Sequence, residues 1–406
     1  MYICYNPSVD KFLMSAFACY RQTVYHRGEN MNTIEKSKLL VDGAMAFDEI
    51  LNSIDAAQKS ILINMFIWRE DNIGVRLASA VLRAADRGVR VSISVDRVGM
   101  ILECAEEYGG SFFHRKPGAF ERFKIALLRL CYPKNCVKRQ KNSSAEGLLD
   151  KLISHPNVVV ERERKKNDHS KYYVIDDRIL IFGGINVEDK ECGSDCFGRV
   201  YQDYMVKLEG EECVKAFFDK LNRNSDTGEG YTFRMNNKTL VTPVFELKES
   251  FLSIIDSAQR ELVIVMAYFA HIPEIVDSIV RAWERGVRIS IMIPRDPNFQ
   301  NNSNRKTVST LMKRCSNGIQ LAFSPKMVHT KLIMSEKTVM FGSCNITNLA
   351  FANLGELDIE MKNEDTPLIR NIKESVAENL SLAHGVSDYR LIRYSSLMAW
   401  LEGRFN

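Results

Sequence analysis

"DHSKYYVIDDRILIFGGIN" runs from Asp168 to Asn186, and "VHTKLIMSEKTVMFGSCN" from Val328 to Asn345. The first stretch places His169, Lys171, Asp176, Gly183, Gly184 and Asn186 at fixed offsets, and the second repeats the plan with His329, Lys331, Gly342, Ser343 and Asn345. The runs "KYYVID" and "KLIMS" are short, apolar and bounded by turn residues, so both read as strands. Side chains i and i+2 of a strand share a face, so each histidine projects together with its lysine. Asp176 is seven residues from His169, an odd offset that turns it to the other face and gives it a structural rather than a chemical part. In the second copy Glu336 stands at that offset, but the spacing from His329 to Gly342 is one residue short, and Ser335 is the residue expected to fill the structural slot.

The repeat extends outward from these segments. "SIDAAQKSILINMFIW" (53–68) matches "IIDSAQRELVIVMAYF" (254–269), and "RGVRVSISVD" (87–96) matches "RGVRISIMIP" (285–294). In each half an amphipathic helix ends at Arg-Gly, with Gly88 or Gly286 at the C-cap, and a β-branched run follows. Helices alternating with buried strands predict α/β layers, here two α/β domains related by a pseudo-twofold axis. The expected boundaries are a leader over 1–30, a first domain over 31–225, a second over 226–386, and a C-terminal helix over 387–406. The first half is longer by 38 residues between its Arg-Gly and its His-x-Lys, an insertion at about 98–151.

Imidazole and ammonium on one face are tools for phosphate: the lysine neutralises anionic oxygens and the histidine attacks phosphorus or moves a proton. Glycines admit close backbone approach, and the amides of Asn186 and Asn345 donate to phosphate oxygens. No acidic metal-ligand cluster accompanies the two cationic sites, which predicts phosphoryl chemistry without a metal. Two histidines suit a double displacement through a phosphohistidine, one as nucleophile and the other as acid and then base. Such a histidine needs a carboxylate to fix its tautomer. Candidates lie downstream of each motif: Asp203 in "YQDYMVKLEG" and Glu356 in "NLGELDIEM".

The duplicated His-x-Lys-x4-Asp pattern with its Gly-Gly-x-Asn resembles the phospholipase D superfamily. "MFIWREDNIG", "QDYMVKLEG", "AYF", "RGVRISIMIP" and "GSCN" resemble bacterial cardiolipin synthases, of the type lacking transmembrane helices. The resemblance runs from about residue 31 to the C-terminus. It implies two such domains sharing one active site at their interface, a phosphatidyl-histidine intermediate and no cofactor. It implies half-sites of His169, Lys171, Asn186 and Asp203, and of His329, Lys331, Asn345 and Glu356, with His169 as nucleophile. The implied activity is transfer of a phosphatidyl group from phosphatidylglycerol, an anionic phospholipid, to a second phospholipid. The alternatives are a hydrolase or nuclease of the same superfamily and a non-catalytic lipid-binding protein; nucleic acid is not the expected partner.

Composition frames this reading. Hydrophobic residues make up 45% and charged residues 26% of 406 residues, as in globular proteins, and the net charge of +4 says little by itself. The ten cysteines include no Cys-x-x-Cys, which predicts a reduced chain without a zinc site. The longest apolar run, "LVIVMAYFA" (262–270), is half of what a membrane span needs. "KFLMSAFAC", ending at Cys19, lacks the positive flank of an export signal. Access to lipid therefore falls to peripheral contact, on the cytoplasmic side of the cell membrane. The insertion is basic, with nine Lys or Arg and one acidic residue between 111 and 144. It sets Phe120 and Phe123 beside Arg122, Lys124 and Arg129 at helical spacing, a face for anionic lipid or simply a solvated loop. At the C-terminus Leu391, Met398 and Leu401 read as one apolar stripe of a helix, with Arg393 and Trp400 near it; packing on the second domain's core is the alternative.

Overall fold

Two sheets with matching strand orders carry the repeat. The computed structural model describes residues 36–106, 111–132, 146–222, 230–239 and 243–404. The expected leader, Cys19 and the C-terminal Phe405 lie outside them. In the first half, strands β1 (Ser37–Val41), β2 (Ser60–Met65), β3 (Arg90–Val95), β4 (Val158–Glu161), β5 (Lys171–Ile175) and β6 (Ile179–Gly183) are followed by the short β7 (Tyr201–Gln202) and by β8 (Tyr204–Glu209). Apart from β7 they form a sheet of order β1-β8-β6-β5-β2-β3-β4. The second half adds β9 (Tyr231–Asn237), β10 (Val244–Phe245), β11 (Glu261–Met266), β12 (Arg288–Pro294), β13 (Gln320–Ser324), β14 (Met327–Val328), β15 (Lys331–Ser335), β16 (Thr338–Gly342), β17 (Glu356–Lys362) and β18 (His384–Val386). Its sheet runs β10-β9-β17-β16-β15-β11-β12-β13-β18. Strand for strand, β9-β17-β16-β15-β11-β12-β13 repeats the first sheet, so the duplication seen in the sequence is a duplication of fold.

The two helices expected to end at Arg-Gly do so, over Asn72–Asp86 and Pro273–Glu284. α1 (Asp42–Ala56), α2 (Asn72–Asp86), α3 (Arg97–Glu106), α4 (Ala119–Leu128), α5 (Leu148–Ser154) and α6 (Glu211–Leu221) belong to the first half. α7 (Leu247–Ser257), α8 (Pro273–Glu284), α9 (Asn301–Arg314), α10 (Asn348–Ala352), α11 (Pro367–Leu382) and α12 (Ser396–Glu402) belong to the second. α2 is capped at its start by the Asp71 side chain accepting from Gly74 N–H, and Gly88, at φ +92°, turns the chain into β3. Each half has its own core: Ile61, Ile63, Ile93, Tyr173 and Ile181 are buried in the first, and Ile264, Ile291, Ile333 and Met340 in the second. These are inward positions of the central strands, whose continuous apolar runs fit sheets covered on both faces.

The expected structural slot differs from expectation in one residue. Asp176 accepts backbone N–H bonds from Gln58, Lys59 and Ser60 (2.8, 2.6 and 3.0 Å), tying the β5–β6 hairpin to the α1–β2 turn. In the second half Glu336, not Ser335, does this, accepting from Gln259, Arg260 and Glu261 N–H. The hairpin there is one residue shorter, and the longer side chain spans the difference. Ser335 ends β15, and its hydroxyl accepts from Lys337 and Thr338 N–H in the turn that follows. Reduced thiols throughout were expected, whereas Cys196 is disulfide-bonded.

The C-terminal segment is not one helix. Tyr389–Leu391 form a 3₁₀ turn, an extended stretch follows, and α12 begins only after Ser395, whose hydroxyl accepts from Met398 N–H. A stripe running from Leu391 to Leu401 therefore does not form. The inward residues are Ile392, Ala399 and Glu402, while Leu391, Arg393 and Trp400 are exposed and Met398 and Leu401 half-buried. Glu402 accepts from Ser303 N–H and the Asn302 amide at the start of α9, so α12 is docked on the second half. Among the described residues, no helix is long and apolar enough to cross a membrane.

Candidate active site

The two halves join through a reciprocal pair of parallel backbone bridges. Asp168 lies opposite Gly355, with His169 N–H donating to Gly355 O at 2.7 Å and Gly355 N–H to Asn167 O. In the mirror arrangement β14 pairs with β7, Val328 opposite Gln202, and His329 N–H donates to Gln202 O at 2.7 Å. The next residue along each strand is, on one side, a histidine and, on the other, a carboxylate of the opposite half. The register alone therefore sets His169 against Glu356 and His329 against Asp203. Gly355 has no side chain because a Cβ there would come within 2.8 Å of the Asp168 carboxylate.

This overturns the expected pairing. His169 Nδ1 lies 3.1 Å from both Glu356 oxygens, and His329 Nδ1 lies 2.9 Å from Asp203 Oδ2. Each carboxylate serves the histidine of the other half, not the one upstream of it in sequence. A histidine held at Nδ1 by a carboxylate presents Nε2 for chemistry. The carboxylates are buried and differ in support. Glu356 accepts from the Ser343 hydroxyl at 2.5 Å. Asp203 has no serine; Gly184 stands at that place, where a Cβ would sit 2.2 Å from the Asp203 carboxylate. A shorter acid packs on glycine in one half, and a longer acid accepts from serine in the other.

A cavity of about 490 Å³ opens at this junction, with His169, His329, Asn186, Asn345 and Glu356 on its wall. Lys171 and Lys331 are fully buried behind the histidines, and neither lies on that wall. Each donates to the carbonyl of its own histidine, and Lys331 Nζ is also 3.3 Å from Asp203 and 3.0 Å from His329 Nδ1. Lys171 Nζ lies 5.4 Å from the Phe66 ring, and that ring meets His169 edge-on at 4.7 Å. The lysines thus stand as charges set behind the imidazoles rather than as direct ligands of whatever enters. Asn345 Oδ1 accepts from Tyr268 N–H, which turns its amide nitrogen away from that bond, and Asn186 Oδ1 has no partner among the described residues.

Electrostatics distinguishes the two pairs. Burial and the nearby Lys331 push His329 down to about 4 against the pull of Asp203, and burial with Lys171 and Lys331 pushes His169 well below its usual value. Burial also lowers Lys171, to about 7, and raises Glu356 to about 8 despite Lys171. Burial would raise Asp203, but Lys331 and His329 win and hold it below the usual carboxylate range. His329 thus faces an ionised carboxylate, able to stabilise an imidazolium. In the His169–Glu356 pair burial opposes separated charges, pushing the imidazole down and the carboxyl up.

The rest of the wall was not foreseen. Phe66, Ile101, Leu102 and Leu128 give it an apolar side, with Ile101 and Leu102 from α3 and Leu128 from α4, so the insertion helps to build the cavity. Of the residues expected to meet membrane, Lys124 borders this cavity, while Arg129 donates to Cys104 O and ties α4 to α3. Phe120 and Phe123 are exposed on the outer face of α4, with Arg122 beside them. The lining also has a polar part, with Glu106, Glu188, Lys190, Glu191, Tyr201 and Gln300. "VEDKE" (187–191) directly follows the first motif, and its dense charge was the available signal. Among the described residues, no group of three or more His, Cys, Asp or Glu is placed to hold a metal ion.

Comparison with known proteins adds to this geometry. The family described as "Cardiolipin synthase, PLD-like domain" matches residues 50–224 and 251–379. Cardiolipin synthase B of Shigella flexneri is 25% identical over 342 residues, 78% of this chain and 74% of that protein. Cardiolipin synthase 2 of Staphylococcus epidermidis is 22% identical over 401 residues, 94% of this chain and 75% of that protein. The crystal structure of phosphatidylserine synthase from Haemophilus influenzae has the same fold, with a TM-score of 0.65 at 12% identity over 91% of this chain and 93% of that one.

Proposed function

The chain belongs to the family of the cardiolipin synthase, PLD-like domain, and from that premise we propose that it transfers a phosphatidyl group from a phosphatidylglycerol-like donor to the hydroxyl of a second phospholipid. The observation that carries the reading is the pair of histidines in one cavity, each held at Nδ1 by a carboxylate of the other half. His169 Nε2 attacks phosphorus and forms a P–N bond. The bond from phosphorus to the departing alcohol breaks, and that oxygen takes a proton from His329. His329 then removes the proton of the incoming hydroxyl, whose oxygen bonds to phosphorus as the P–N bond breaks. The bound phosphodiester brings negative charge beside Lys171 and Lys331, offsets their effect on the imidazoles, and so raises the protonated fraction of His329.

Asp203, ionised beside His329, supports the acid role for that histidine; Glu356 with its Ser343 donor fixes the tautomer of His169. Asn186 and Asn345 supply amide donors at the cavity wall, and the lysines act through charge from behind. The apolar side of the cavity favours an acyl-bearing substrate over a nucleic acid. The protein reaches lipid peripherally, through the exposed Phe120 and Phe123 face of α4. Lipid mass spectrometry after incubating purified protein with phosphatidylglycerol vesicles tests the reading. Cardiolipin with free glycerol is the expected outcome, and phosphatidic acid alone would make the protein a hydrolase.

A further inference from the structure

The polar wall beside His329 is built of groups that the two His-x-Lys motifs do not use. Lys190 Nζ donates to Glu106 at 2.7 Å and lies 3.2 Å from Glu188, and Arg69 pairs with both of these carboxylates. Two cations and two carboxylates thus compensate each other. The wall continues toward the histidine through aromatic rings: Lys190 Nζ is 5.1 Å from the Tyr201 ring, and the Tyr201 and Tyr268 rings lie 6.2 and 6.0 Å from His329. Tyr268 donates its hydroxyl to Asn298, whose amide donates to Glu106 and closes the circuit.

Within this compensated frame several buried oxygens have no hydrogen-bond partner among the described residues: Glu188 Oε1, Glu191 Oε1, Tyr201 Oη and Gln300 Oε1. All four residues line the cavity and are nine-tenths or more buried. An unpaired buried polar atom costs about 1–3 kcal/mol, so four together on one wall call for a hydrogen-bonding ligand. Burial drives Glu191 well above the usual carboxylate range, so it adds little charge to the wall. An ammonium would need a spare negative charge, and Glu106 and Glu188 are already matched by Arg69 and Lys190. A phosphate would need a spare positive one. A neutral compound with several hydroxyls, each able to donate and to accept, fits both the charge balance and a wall where Glu188 and Gln300 accept while Tyr201 and Glu191 can also donate.

We propose that Glu188, Glu191, Tyr201 and Gln300 form a polyol subsite that holds the hydroxyl-bearing head of the alcohol that leaves or enters at His329. This rests on the phosphatidyltransferase reading for its place in the reaction, though not for the binding itself. The site deepens that reading by making the headgroup glycerol, rather than the acyl chains, the part of the substrate that is selected.

Binding of two soluble headgroups to the full-length His169→Ala protein tests it, measured by calorimetry with glycerophosphoglycerol and glycerophosphoethanolamine. The two share the phosphodiester and differ in the polyol against the amine. The expected result is at least about tenfold tighter binding of glycerophosphoglycerol, the size of one or two hydrogen bonds. Tyr201→Phe with Gln300→Met should remove most of that preference and leave the affinity for glycerophosphoethanolamine unaltered. Equal affinities in the parent protein would overturn the subsite, whether or not the double variant folds. Wild-type transfer activity without headgroup preference in binding sinks the subsite and spares the transferase reading. Preference in binding with no phosphatidyl product from phosphatidylglycerol vesicles does the reverse.

Discussion

His169 and Glu356, separated by 187 positions, meet with Nδ1 3.1 Å from each carboxylate oxygen. Neither half can orient its own catalytic candidate, so a separated half lacks a working histidine–carboxylate pair. His169→Ala and His329→Ala should each lower phosphatidyl transfer by about a hundredfold or more, as expected for loss of a nucleophile or a general acid–base. Mapping the phosphorylated peptide from a quenched reaction separates their roles. A modified peptide containing His169 is expected, and one containing His329 alone would reverse the assignment.

Gly184 makes a second, sharper test of the crossed pairing. Its absent Cβ would lie 2.2 Å from the Asp203 carboxylate that holds His329 of the other half. Gly184→Ala should therefore displace Asp203 and cut turnover at least about tenfold, as a misplaced catalytic group does. The loss should be larger than for Gly193→Ala, where a Cβ meets nothing. Equal, small effects of the two would mean that Asp203 does not need its observed position.

The strands and the repeat were legible because periodicity and Arg-Gly caps need only neighbouring residues, whereas the place of Lys171 and Lys331 behind the imidazoles was not. The carboxylate partners were not, because they follow from the register of bridges between the halves, and no spacing within a half encodes that. Glu336 was partly legible. Its offset from His329 equals that of Asp176 from His169, but the one-residue shorter hairpin drew attention to Ser335. The C-terminal stripe failed because three- and four-residue spacings do not reveal that Ile392 continues in an extended conformation to a new cap at Ser395.

The Glu336 contact predicts a split between stability and activity. Its carboxylate holds three backbone N–H groups of the α7–β11 turn, on the far end of β15 from His329. Glu336→Ala should lower unfolding free energy by about 1–3 kcal/mol, read from urea denaturation. Transfer per folded molecule should stay within about twofold. A large loss of turnover in a well-folded variant would give this residue a part in the chemistry.

His329 makes the protein sensitive to mild acid. Burial holds it neutral, with a folded-state value of about 4 against 6.5 in the unfolded chain. Between these values the unfolded state binds more protons, so this group's contribution is complete above about 6.5 and is lost as pH falls toward 4. At pH 5 the difference is on the order of 2 kcal/mol. His329→Gln removes the titration, so its stability should fall less than that of the wild type between pH 7 and pH 5, measured as the urea midpoint. Parallel curves for the two proteins would show that His329 is not held neutral.

Membrane contact is the last consequence of the proposed reading, and of the two surfaces expected to meet lipid it falls on the insertion. Deleting the C-terminal segment is a poor test, because Glu402 caps α9 and α12 is packed there. α4 is a better place: Phe120 and Phe123 are each 67% exposed, while Ile125 and Leu128 face inward and Lys124 and Leu128 border the cavity. An exposed Phe moved into apolar surroundings contributes about 1.5–3 kcal/mol, and each adjacent basic residue up to about 1 kcal/mol at an anionic surface. Full-length protein should sediment with phosphatidylglycerol vesicles at low salt and be partly released at high salt, since the ionic part is screened. Phe120→Ser with Phe123→Ser should weaken sedimentation about tenfold or more, and leave turnover of a detergent-dispersed substrate near that of the wild type. Undiminished binding of this double variant would place the membrane contact on another surface.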